Sequence, residues 1–103
     1  MDQRYGQLKD WVGQALLAFD GFDANNWQLL PVSGDASFRR YFRANSGGKS
    51  WIAVDAPPDK EDSRPFVSMA DALESVGVSV PHIHQHDLQQ GFMLLEDFGA
   101  KLL

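Results

Sequence analysis

The sequence predicts an α+β domain: a five-stranded antiparallel sheet, one packed helix between its third and fourth strands, and a further helix ahead of the first strand. Three observations carry this. Apolar residues first recur at three- and four-residue steps, then change to extended patterning after Trp27. The extended stretches are joined by short connections rich in Gly, Ser and Asn, which suit hairpins. A second stretch of helical period stands after the third strand, opened by Pro65 and closed by Gly77.

The elements follow in order. Tyr5, Leu8, Val12, Ala15, Leu16 and Phe19 form one apolar stripe, with Asp2 as N-cap and Gly21 just past the end. Trp27 to Val32 reads as a strand, and Ser33-Gly34-Asp35-Ala36-Ser37 as a turn. Phe38 to Arg43 is extended again, with Phe38 and Arg40 on one face and Tyr41 and Arg43 on the other. Asn45 to Lys49 is a second turn, and Trp51 to Ala56 a third strand stopped by Pro57-Pro58. In the second helix, which starts near Ser63, Phe66, Met69, Ala70, Leu73 and Val76 are expected to be buried. His82 to Asp87 and Phe92 to Glu96 complete the sheet. Residues 1–24 are thus expected to form an N-terminal helix unit and residues 25–103 the sheet-bearing unit.

Composition narrows the function. With 103 residues, 44% of them hydrophobic, the chain supports one modest core. It has no cysteine, which removes disulfide scaffolds, cysteine zinc sites and thiol nucleophiles. A net charge of −5 leaves no overall basic footprint for nucleic acid or anionic lipid, so neither is an expected partner. No apolar run approaches the ~20 residues of a membrane span, and Met1-Asp2-Gln3-Arg4 does not open a signal peptide. A cytoplasmic location is expected. The ending Gly99-Ala100-Lys101-Leu102-Leu103 reads as the first turn of another helix with its apolar residues unspent, so truncation of a longer chain is the expectation.

Four strings sharpen the reading: Ser33 to Arg43 (SGDASFRRYFR), Val54 to Pro58 (VDAPP), Phe66 to Val80, and Gly91 to Gly99 (GFMLLEDFG). In this order and spacing the chain, from about Leu8 to Leu103, resembles the bacterial aminoglycoside-phosphotransferase-like family, whose fold is protein-kinase-like. Within it, the chain is most similar to the kinases that phosphorylate the anomeric hydroxyl of N-acetylmuramate and N-acetylglucosamine in cell-wall recycling. The resemblance implies a small, ATP-binding lobe whose large catalytic lobe is absent. It further implies ATP and Mg²⁺ as cofactors of the intact enzyme, neither expected on the fragment, and a sugar acceptor bound by the absent lobe.

The resemblance also assigns roles. Phosphoryl transfer needs phosphates held, charge neutralised and the acceptor aligned. Ser33, Gly34, Asp35, Ala36 and Ser37 would lie over the phosphates, their N–H groups donating to phosphate oxygens; an ordinary β-turn is the other reading of the same residues. The third strand fits V-A-I-K with Asp55 in the lysine's place, so Ala53 and Asp55, on one face, would point at the nucleotide. The second helix offers no glutamate on its inward face, so lysine and glutamate are lost together. Arg39, Arg40 and Arg43 are then the nearest cations for phosphate; alternation separates Arg40 from the other two, and solvated strand arginines are the alternative. Asp97-Phe98-Gly99 is not a metal-binding D-F-G, since no H-R-D-x-x-x-x-N loop precedes it. Instead Glu96, Asp97 and Phe98 would be the linker between lobes, pairing its backbone with the adenine edge. His82, His84 and His86 share a strand face, and are read as a polar face rather than a metal site.

No catalytic residue is expected within the chain, which alone is expected to be inactive and to self-associate through its exposed lobe interface. Two alternatives remain: a stand-alone, non-catalytic interaction module, or a phosphotransferase acting on another small alcohol or amine. A reading frame continuing into an H-x-D-x-x-x-x-N segment separates the enzymes from the module.

Overall fold

Two adjacent glycines set the middle of the sheet. Gly47 and Gly48 have φ of 55° and 83°, the left-handed pair that a two-residue hairpin needs to match strand twist. They join β2 (Arg40–Ser46) to β3 (Lys49–Asp55), and the register runs unbroken from Ser46↔Lys49 to Arg40↔Asp55. The computed structural model describes residues 3–34, 39–60, 64–77 and 82–97.

Around this hairpin the remaining elements are α1 (Gln3–Leu16), β1 (Gln28–Gly34), α2 (Arg64–Ser75), β4 (Ile83–Asp87) and β5 (Phe92–Glu96). All neighbouring strands are antiparallel, in the order β1-β2-β3-β5-β4. This is the α+β architecture that the sequence predicts. After β3 the chain passes through α2 to the far edge, and β5 returns between β3 and β4.

Alternation divides the sheet into two faces. Leu29, Phe42, Ala44, Trp51, Ala53, Phe92 and Leu94 form one core with Leu8, Val12 and Leu16 of α1. All three helix residues are fully buried, and each contributes roughly 1.5–3 kcal/mol by burial. The Tyr5 hydroxyl adds a hydrogen bond to the Leu29 carbonyl, 2.7 Å. On the opposite face Val54, Ala56, Met93 and Leu95 are buried against Phe66 and Val67 of α2.

Both helices depart from the periodic reading. The α1 helix ends at Leu16, three residues before Phe19. The Leu17 and Phe19 N–H groups reach back only three residues, to Gln14 and Leu16, which tightens the chain into turns. Phe19 thereby leaves the stripe and packs edge-on against Trp51, at 5.6 Å between ring centroids. Asp2, the expected cap, lies outside the described residues. In α2 the expectation that Met69 and Val76 are buried fails: they are 62% and 74% exposed. The helix meets the sheet through its first turn, so the later residues of the same stripe run past the cover that the sheet offers.

The strand limits shift as well. β1 runs on to Gly34, with an irregularity between Pro31 and Gly34, so Ser33 and Gly34 belong to the strand end rather than the turn. β4 begins at Ile83, one residue later than expected.

Candidate functional site

The expected nucleotide-facing residues sit on two different faces. Across the sheet, Pro31, Phe42, Ala53 and Leu94 are register partners, and so are Arg40, Asp55 and Phe92. Both rows lie beneath α1. Ala53 and Asp55 are each 0% exposed. They share a face, as alternation requires, but it is the closed one. On that face α1 packs in front of them through Leu8, Val12 and Leu16.

The Asp55 carboxylate is instead read by two arginines. Arg4 of α1 donates from Nε and Nη2 to Oδ1, and Arg40 donates from Nε and Nη2 to Oδ2. Arg4 also donates to the Gln90 carbonyl, 2.7 Å, and its guanidinium lies 5.1 Å from the centre of the Phe92 ring. A buried carboxylate is costly unless paired and hydrogen-bonded. Here the cost is met by a helix residue and a strand residue together. Arg40 is accordingly held on the α1 side.

The other face is more open. Leu30, Arg43, Ile52 and Leu95 are register partners on the α2 side. Towards β5 this row is covered, whereas Leu30 is 47% exposed and Val32, further along β1, is 37% exposed. Tyr41 and Ile52 are half-buried between them. Arg39 stands at the head of β2 with its guanidinium 5.7 Å from the centre of the Phe66 ring on α2. Of the three candidate cations, Arg39 and Arg43 share this face, and the alternation argument separates Arg40 as expected.

The residue after β5, Asp97, is anchored to the same face. Arg43 forks onto Asp97, Nε to Oδ2 at 2.7 Å and Nη2 to Oδ1 at 3.3 Å. The Ser50 hydroxyl donates to Asp97 Oδ2 at 2.6 Å. The Asp97 side chain is only 4% exposed. Glu96 is differently engaged: its N–H donates to the His82 carbonyl at 2.8 Å, and its Oε1 accepts from the His82 N–H. The Glu96 N–H is thus spent within the sheet and is not offered to a ligand. Phe98, Asp35, Ala36 and Ser37 lie outside the described residues, so most of the expected phosphate loop does too.

The histidines form ring contacts rather than a chelate. His84 packs edge-on against Phe19, 5.0 Å between centroids, with His82 5.1 Å away on its other side. His82 Nδ1 lies 3.3 Å from Glu74 of α2. Burial, and secondly the charge of His82, pulls the His84 pKa below its ordinary value, against a smaller opposing effect of Glu96. Among the described residues no group of three or more His, Asp or Glu converges as metal ligands do.

Sequence reasoning missed Arg4 and Ser50. Arg4 lies 51 positions from Asp55 and Ser50 lies 47 positions from Asp97, so no local spacing links either pair. The one available signal was Asp55 itself, a carboxylate in an otherwise apolar strand that needs a cation. Three of the four strings are physically joined: Arg40 of the first holds Asp55 of the second, and Arg43 of the first holds Asp97 of the last.

The phosphotransferase enzyme family matches residues 28–102. The chain is 46% identical over 106 residues to the N-acetylmuramate/N-acetylglucosamine kinase of Pseudomonas aeruginosa, covering 97% of this chain and 31% of that protein. It is 44% identical, with the same coverage, to the protein of that name from Pseudomonas putida. It is 35% identical over 98 residues to the one from Neisseria meningitidis, covering 94% of this chain and 27% of the relative. The chain therefore spans about a third of the length of these relatives. No solved structure is matched. The family match over most of the chain, together with the kinase-like sheet beneath it, means that the chain belongs to the phosphotransferase enzyme family.

Proposed function

We propose that the chain is the nucleotide-binding small lobe of an ATP-dependent amino-sugar kinase of cell-wall recycling, with the base resting on the α2 side of the sheet. The observation that carries this reading is the asymmetry of the two faces. One is sealed by α1, and the other leaves an apolar strip at Leu30, Val32, Tyr41 and Ile52 beside the anchored Asp97. A purine is a flat, mostly apolar body with a hydrogen-bonding edge, and such a strip next to linker backbone suits it. The base edge would pair with backbone at residues 97 and 98. The loop at residues 33–37 would cover the phosphates, with Arg39 as the cation on the correct face.

The donor set bears on the metal. Asp55 on the closed face and Asp97 beside the strip are both held by arginines. Mg²⁺ brought in with ATP would bridge phosphate charge and take its protein ligands from outside this chain. The acceptor hydroxyl and the base that receives its proton belong to the same missing part, so the chain alone is expected to be inactive. Reliance on ATP places the work in the cytoplasm. The relatives' names favour N-acetylmuramate or N-acetylglucosamine as acceptor over another small alcohol or amine.

The test uses the full-length protein, supplied with ATP and each of the two amino sugars. Phosphate transfer to either sugar is expected, and its absence with both overturns the function. For the placement of the base, Leu30→Arg is expected to raise the ATP KM about tenfold, the equivalent of ~1.4 kcal/mol. Leu30 is half-exposed, so the fold should tolerate the change. An unchanged ATP KM overturns the placement.

A further inference from the structure

We propose that Arg43 and Ser50 act, through Asp97, as positioning residues for the nucleotide base. The inference rests on the nucleotide-binding reading above and goes beyond it by assigning what holds the linker in register.

Three side chains meet at one end of the α2 face. Arg43 stands on β2, Ser50 on β3, and Asp97 immediately after β5. Arg43 lies in the row that crosses from Leu30 to Ile52, the row on which the base would rest. Asp97 is where the chain leaves the sheet. A residue leaving a strand loses its ladder partners and with them its fixed backbone orientation. Here the side chain replaces the ladder. The forked contact with Arg43 fixes the carboxylate plane, and the Ser50 hydroxyl fixes its height above β3. Planar, two-point recognition is what a guanidinium provides and an ammonium does not.

The arrangement fits positioning better than bulk stability. The Arg43 side chain is one-third exposed, so its ion pair alone adds little to folding. Yet the Asp97 carboxylate is almost wholly enclosed, and the enclosure sits beside the linker rather than within either core cluster. The Glu96 N–H is committed to the sheet through the His82 carbonyl, so Asp97 stands just past the last residue that β5 pins to β4. Small displacements of such a group are amplified in affinity, because hydrogen bonds weaken steeply with angle.

The test is a set of variants in the full-length protein. Asp97→Asn keeps the shape and removes the charge pair. It is expected to raise the ATP KM about tenfold with kcat within about twofold, and to erode the preference for ATP over GTP. Inhibition by inorganic tripolyphosphate, which reads the phosphate site without a base, should not move. Ser50→Ala should shift the same quantities about two- to threefold, and it decides the matter if Asp97→Asn does not fold. Arg43→Lys should fail to restore the wild-type ATP preference. The proposal is overturned if folded variants keep the wild-type ATP KM and base preference. It is equally overturned if tripolyphosphate inhibition weakens in step with ATP, which marks general loosening. If the wild-type protein neither uses ATP nor is stabilised by it, the nucleotide reading itself falls.

Discussion

Each oxygen of the Asp55 carboxylate takes one guanidinium, Arg40 from its register partner on β2 and Arg4 from α1. The carboxylate is turned to the face that α1 covers. Asp55 ties the helix to the sheet.

Removing Asp55 should be costly for the fold. Asp55→Ala leaves two cations facing each other over a buried site, and about 3 kcal/mol of lost stability is expected, at the low end for a broken buried pair because both arginines reach water. Arg4→Ala should cost about 1–2 kcal/mol, since Arg40 remains. Asp55→Lys should not raise activity; it adds a third cation to the cluster and should lower stability further. Denaturant melts of the three variants check the order, and a gain of activity in Asp55→Lys would contradict the placement.

Gly91 should resist substitution. Its φ is 82°, and a Cβ built there would fall on the Ala56 carbonyl oxygen. The turn brings the Gly91 carbonyl within 2.7 Å of the Ala56 N–H, so the two backbones are locked together. Gly91→Ala is expected to cost at least ~3 kcal/mol, read as a lowered denaturation midpoint with little change in slope.

The two helices should answer differently to truncation. Leu8→Ala removes a fully buried side chain from the α1 core and should cost about 2–5 kcal/mol. Met69→Ser, on the exposed stretch of α2, should stay within about 0.5 kcal/mol. A large effect at Met69 in the 103-residue chain would mean that α2 packs more deeply than its exposure indicates.

Acid should weaken the edge of the sheet through His84. Its folded pKa is lowered, first by burial and then by His82. Below its ordinary value of about 6.5 the unfolded chain takes up the proton before the folded one. Stability is therefore full above that pH and falls as pH drops from there towards the folded pKa. Thermal melts between pH 7.5 and 5.5 should show a declining midpoint, and His84→Gln should flatten that decline.

Much of the fold was legible because it rests on local pattern. The change of apolar period at Trp27, the Gly47-Gly48 turn and the Pro65–Gly77 brackets each report short-range geometry, and the sheet with its two helices follows from them. The errors came where local pattern meets a partner from elsewhere. Phe19 fits the helical stripe, yet Trp51 and His84 draw it into a turn. Met69 and Val76 fit the stripe of α2, but nothing in their spacing says how far the sheet extends beneath them.

The same limit governs the site. By itself the sequence determined that Ala53 and Asp55 share a face, that Arg40 parts from Arg39 and Arg43, and that the strings at residues 33–43, 54–58 and 91–99 belong to one phosphotransferase family. Only the tertiary structure decided which face is closed. Strand alternation defines two sides without labelling them. The label comes from α1, packed on the Ala53 side by Leu8, Val12 and Leu16 and pinned there by Arg4 across 51 positions of chain. That contact is made by burial and charge between distant segments, and no spacing within either segment encodes it.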